Sequence, residues 1–100
     1  METFMYDGDS AAYMFDRYKQ QAQAYLEIEP NGVELWAETT DSGKVRACFV
    51  GTFFDNNDFE LVTGEIYFNI DSVATNEDQL REAVSCSDKI SGAENTLELI

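Results

Sequence analysis

A chain of 100 residues with 44% apolar and 13% aromatic side chains is long enough for one compact domain and too apolar for a disordered acidic tail. Twenty carboxylates against six basic side chains leave a formal net charge of −14, and there is no histidine. That combination excludes Ser-His-Asp and Cys-His catalysis, argues against direct binding to phosphate backbones, and sets the chain against anionic membrane surfaces.

Met1-Glu2-Thr3-Phe4 has neither the basic nor the apolar stretch of a leader. The longest apolar runs fall far short of the roughly 20 residues a membrane span needs. A cytoplasmic protein is therefore expected; Cys48 and Cys86 could form one disulfide, but such a chain more often keeps two free thiols.

In chain order, Asp9 and Ser10 are helix N-cap candidates. Ala11, Met14, Phe15, Tyr18 and Ala22 then recur at helical spacing, which predicts a helix over about 10–23. The period changes to two at Tyr25-Leu26-Glu27-Ile28-Glu29 and again at Val33-Glu34-Leu35-Trp36-Ala37-Glu38. Pro30-Asn31-Gly32 between them predicts a hairpin with a type I′ turn, placing Ile28 opposite Leu35 and Glu29 opposite Glu34.

Asp41-Ser42-Gly43 predicts a second hairpin, a three-residue loop with glycine in the left-handed position. Its register sets Glu38 opposite Arg46, Trp36 opposite Cys48 and Leu35 opposite Phe49. A third strand over 44–54 leads through the polar turn Asp55-Asn56-Asn57-Asp58 into a fourth over about 59–70. Val62, Ile66, Phe68 and Ile70 share one face of that strand, and Glu65, Tyr67 and Asn69 the other.

Thr75-Asn76-Glu77-Asp78 caps a second helix with the stripe Leu80, Ala83, Val84 and Ile90, ending at Ser91-Gly92. Residues 96–100 have the alternation of a short edge strand. The fold class expected is α+β: an antiparallel β-sheet meander of about four strands, with an N-terminal and a C-terminal helix packed on one face.

Chemistry-bearing motifs are sparse. Two distant cysteines make no structural zinc site, and the six glycines form no phosphate loop. Asp55, Asn57 and Asp58 begin like a calcium loop, but Phe59 takes the third ligand position and no glycine follows, so a polar turn is the reading. No cofactor and no metal are expected.

The acid is uneven. Residues 55–82 carry Asp55, Asp58, Glu60, Glu65, Asp71, Glu77, Asp78 and Glu82 against Arg81 alone, half of the net charge. A second group, Glu27, Glu29, Glu34 and Glu38, surrounds Trp36. By alternation Trp36 and Tyr67 point away from the core among these acids, as aromatic anchors with charged rims do at binding hot spots. Alternation leaves open whether another element covers them, or whether Arg46 lies over one of the rings.

In size, acidity and a helix-then-meander layout, the chain resembles small phage-encoded inhibitors of bacterial defence, including some anti-CRISPR proteins and DNA mimics. It is similar in the same respects to small acidic immunity proteins that plug a basic nuclease site. The acidic run and the Pro30-Asn31-Gly32 and Asp41-Ser42-Gly43 turns carry this resemblance, and it transfers no functional residue.

The function expected is a non-enzymatic inhibitor that engages a basic, nucleic-acid-binding protein of a defence or regulatory complex. The residues assigned to the contact are Glu27, Glu29, Glu34, Trp36, Glu38, Asp55, Asp58, Glu60, Glu65 and Tyr67. Magnitude imposes a condition. Surface area scales to roughly 5,700 Å² at this mass, about one net charge per 400 Å², against about one per 100 Å² for duplex DNA. Mimicry therefore requires the two acidic groups to lie together. A structural or accessory subunit binding through the aromatic face is the alternative. A small enzyme with a buried acid pair in a pocket is the third reading.

Overall fold

The structure, a computed structural model, describes residues 3–6, 8–86 and 89–100. It is an α+β fold with one antiparallel sheet in the order β1-β2-β3-β4-β5. The strands are β1 (Thr3–Tyr6), β2 (Ile28–Thr39), β3 (Lys44–Asp55), β4 (Glu60–Val73) and β5 (Ile90–Leu99). Helix α1 (Gly8–Gln21) follows β1, and α2 (Glu77–Ser85) links β4 to β5. None of the helices is long and apolar enough to cross a membrane, among the described residues.

Both helices pack on the same face of the sheet. Phe15 and Tyr18 of α1 join Leu80 and Val84 of α2 in one core with Leu35, Phe49, Phe53, Ile66 and Phe68. Phe15, Tyr18, Phe49 and Phe68 meet edge-to-face in five contacts, with centroids 5.2–5.7 Å apart, the geometry the ring quadrupole favours. The Tyr18 hydroxyl donates to the Val84 carbonyl at 2.7 Å, which satisfies a buried polar group and ties the helices together.

Helix α1 starts two residues earlier than its stripe predicts, so Asp9 and Ser10 lie in its first turn instead of capping it. In α2 the expected cap is present: the Asn76 side chain accepts from the Gln79 amide at 2.9 Å.

The second hairpin has the expected register, Glu38↔Arg46, Trp36↔Cys48 and Leu35↔Phe49. Gly43, at φ +82°, supplies the left-handed residue of its loop. Asp55–Asp58 is the expected turn, with the Asp55 carboxylate accepting from the amides of Asn57 at 2.8 Å and Asp58 at 3.3 Å. Val62, Ile66, Phe68 and Ile70 are all buried.

The first hairpin does not exist. Residues 28–39 form one strand, and Asn31-Gly32 is a β-bulge within it, both residues opposing Thr52 between the pairs Pro30↔Phe53 and Val33↔Gly51. The Thr52 hydroxyl donates to the Asn31 carbonyl at 2.6 Å. Ile28 pairs with Asp55, and Glu29 with Phe54. The extra residue flips the side-chain parity, so Ile28 and Val33 both face inward. A hairpin and a bulge produce that same parity flip in sequence. Strand β3 decides between them: its twelve residues need a partner along their length, which two short hairpin strands would not supply.

Two further expectations fail, and one strand was not foreseen. Tyr25 and Glu27 lie in the segment before β2, outside any strand. Ile90 and Ser91-Gly92 belong to β5 and not to the end of α2, so the last strand spans ten residues where a short one over 96–100 was expected. Strand β1, paired to residues 35–38 of β2, has no counterpart in the expected order.

Candidate functional site: the open sheet face

The face of the sheet opposite the helices is bare among the described residues. Strand β5 extends the sheet at its edge and does not fold over this face. Trp36, Cys48, Tyr67 and Glu94 stand in one row across four strands. Glu34, Val50, Glu65 and Thr96 form the row on one side, and Glu38, Arg46, Asn69 and Gly92 the row on the other.

Trp36 keeps 39% of its surface exposed, whereas Cys48 beside it keeps 8%. The two line a shallow notch of about 270 Å³ with Glu38, Glu65 and Tyr67. The Tyr67 hydroxyl donates to Glu65, which holds the phenol protonated and raises its pKa above the usual value. Burial pushes the Cys48 thiol up to about 11, despite its hydrogen bond with Tyr67.

Arg46 settles which ring it covers. Its guanidinium lies 4.1 Å from the Tyr67 ring centroid, with Glu38 at 4.0 Å and Glu94 at 3.9 Å. Trp36 is left free of it, with carboxylates around it.

By register, Glu29, Glu34, Glu38, Glu65, Glu94 and Glu98 all project from this face against Arg46. Lys44 and Asp71 close its far end as an ion pair at 3.3 Å. The face thus carries a net charge near −5 by this count. Taking about 4.8 Å between strands and 3.3 Å per residue, it covers roughly 800 Å², about one net charge per 160 Å². The whole surface, 5823 Å² for −14, is far more dilute.

The expected site residues divide. Glu34, Trp36, Glu38, Glu65 and Tyr67 come together, and Glu29 lies further along the same face. Glu27 lies in the segment leading into β2. Asp55, Asp58 and Glu60 sit at the β3–β4 turn, about 20 Å along the strands from Cys48. The acidic run of 55–82 is therefore not one surface, and the two acidic groups do not lie together as expected: the turn takes one part, only Glu65 and Asp71 join the sheet face, and Glu77, Asp78 and Glu82 ride on α2 in the other layer.

Glu94 and Glu98 belong to the face and were missed: reading Ser91-Gly92 as a helix stop left Glu94 outside any strand, and the short strand expected over 96–100, which holds Glu98, was not placed on this face. Cys48 and Cys86 are both free, one buried and one exposed. No three Asp, Glu or Cys side chains converge as metal ligands among the described residues.

Fold and site together define an α+β protein with a two-helix layer on one side of its sheet and an aromatic-centred acidic surface on the other. Compared with protein-family models, curated protein sequences and solved structures, the chain matches none of them.

Proposed function

We propose that this chain is a non-enzymatic inhibitor whose open sheet face occupies a basic groove on a nucleic-acid-binding protein. The observation that carries the reading is the charge density of that face, within a factor of about two of duplex DNA's one charge per 100 Å². Trp36, half-exposed at the centre of the carboxylates, supplies the anchor. Partner lysines and arginines would meet Glu34, Glu38 and Glu65 through charge-assisted bonds, and the field of the face would speed encounter. The setting we assign is the host cytoplasm, in phage counter-defence of the anti-CRISPR or anti-restriction kind.

Catalysis has little support. Glu38 and Glu65, the two acids of the notch, are partly exposed and already engaged by Arg46 and Tyr67.

One observation favours a second reading, an accessory subunit with an ordinary apolar interface. At the β3–β4 turn Phe59 is 77% exposed and held at φ +56°, next to Leu61 at 44%. Bulky residues rarely occupy that backbone region without cause.

The test is displacement of labelled nucleic acid from a panel of basic nucleic-acid-binding proteins, including CRISPR effectors and restriction enzymes. The inhibitor reading expects displacement that weakens steeply with salt, is lost in the Glu34→Lys/Glu65→Lys variant, and survives Phe59→Ser. A partner that binds equally well with its groove already filled overturns it. Binding lost in Phe59→Ser alone supports the second reading.

A further inference from the structure

Strand β5 is an open edge of the sheet among the described residues. It runs ten residues with β4 on one side and no strand on the other among the described residues. Natural sheets blunt such edges with charged side chains, above all lysine, and with proline, β-bulges, a covering loop or a very short strand; β5 has a register shift at its start and the carboxylates Glu94 and Glu98, which turn away partners of like charge. Residues 90–99 contain neither proline nor lysine, and a Cβ placed on Gly92 would meet nothing within 4 Å.

The ladder gives this edge a polarity. The Ile100 amide donates to the Leu61 carbonyl at 3.3 Å, and the register steps back from there through Glu98↔Thr63, Thr96↔Glu65 and Glu94↔Tyr67. In an antiparallel ladder the hydrogen-bonded pairs recur every second residue. The even-numbered residues therefore turn their backbone groups toward β4. Ala93, Asn95, Leu97 and Leu99 turn theirs to the open side.

Side chains follow the same alternation. Leu97 packs partly against the core, and Leu99 on the same face is 66% exposed. Glu94 and Glu98 project from the opposite, acidic face. To an incoming strand those two carboxylates stand at non-hydrogen-bonded positions, where facing side chains come closest.

We infer that β5 accepts a sixth strand: an extended protein segment in which basic and apolar residues alternate. Its basic side chains meet Glu94 and Glu98, and its apolar ones lie over Leu97 and Leu99. The backbone bonds to residues 93, 95, 97 and 99 supply affinity, and the alternation supplies selectivity. A second copy of this chain fits poorly. Antiparallel self-pairing centred on Thr96 sets Glu94 against Glu98 twice, between molecules that each carry −14. The inference rests on the proposed reading for the sign of the partner's charge. Its geometry comes from the edge alone.

The test uses the full chain and a nine-residue peptide alternating Lys and Val, with a control of the same composition in two blocks. Amide hydrogen exchange and NMR shifts are the readouts. Binding of the alternating peptide should slow exchange at Ala93, Asn95, Leu97 and Leu99 at least tenfold, and the block peptide should not. Asn95→Pro removes only an outward-facing N–H, so it should keep the circular dichroism of the wild type and weaken binding at least tenfold. Glu94→Lys/Glu98→Lys should reject this peptide and accept one alternating Glu and Val, which decides the matter should the proline variant misfold. Equal binding of the block peptide, shifts confined to the Trp36 indole, or a dimer that protects the same four amides without peptide would each overturn the inference. All three leave the proposed use of the open face intact, since the edge lies beside that face, and nucleic-acid displacement tests that use separately.

Discussion

The two faces of one sheet have been put to opposite uses. Phe49 and Cys48 are consecutive residues of β3, yet Phe49 lies in a dry cluster of aromatic rings and Cys48 lies under Trp36 and Tyr67 amid glutamates. The inner face is closed by two helices and explains why the chain folds. Nothing in the described structure covers the outer face, and folding alone gives no reason to gather six carboxylates there. Like charges on neighbouring strands repel, so this face lowers stability in the isolated protein. The proposed function uses the side where local energetics are worst.

Phe49→Ala, on the inner face, should cost about 3–5 kcal/mol, because the cavity opens among rings that cannot collapse into it. Trp36→Ala, on the outer face, should cost less, about 1–2 kcal/mol, since 39% of its surface is already in water. Urea denaturation of both variants measures the contrast, and equal losses would mean that the outer aromatics form a second core.

Between these lies Tyr18→Phe. It keeps the ring contacts with Phe49 and Phe68 and leaves the Val84 carbonyl without its donor, for about 1–3 kcal/mol. The loss should appear as faster exchange of the α2 amides, since that bond joins the helices.

Much of this division was legible in the residues themselves. Period-two alternation from Val33 through Ile70 separates the faces, and Asp41-Ser42-Gly43 sets their register to the residue. The failures have physical causes. Pro30-Asn31-Gly32 marks a parity change, and local chemistry cannot say whether the chain reverses there or bulges; the partner strand decides. Strand β5 alternates weakly, with Gly92, Ala93, Asn95 and Thr96 on it, and pairing with β4 holds it more than propensity does. The acidic run of 55–82 is contiguous in sequence and scattered in space, because a strand, a turn and a helix send its carboxylates in different directions.

If the outer face is bare but well packed around its aromatics, the Cys48 thiol is shielded from water although it sits on the open side. Its pKa, raised to about 11 by burial, leaves little thiolate near neutrality, whereas Cys86 is exposed. Iodoacetamide at pH 8 should therefore alkylate Cys86 and leave Cys48 largely intact. The linkage has a definite sign. An unfolded thiol ionises near pH 9 while the folded one holds its proton, so the contribution of Cys48 to stability is present below pH 9 and lost as pH climbs from about 9 to 11. The stability of wild type relative to Cys48→Ala should shrink across that interval and stay flat below it. Equal alkylation of both thiols, or a flat difference up to pH 11, would mean that water reaches the floor of the notch and that Trp36 and Tyr67 stand apart as separate exposed rings.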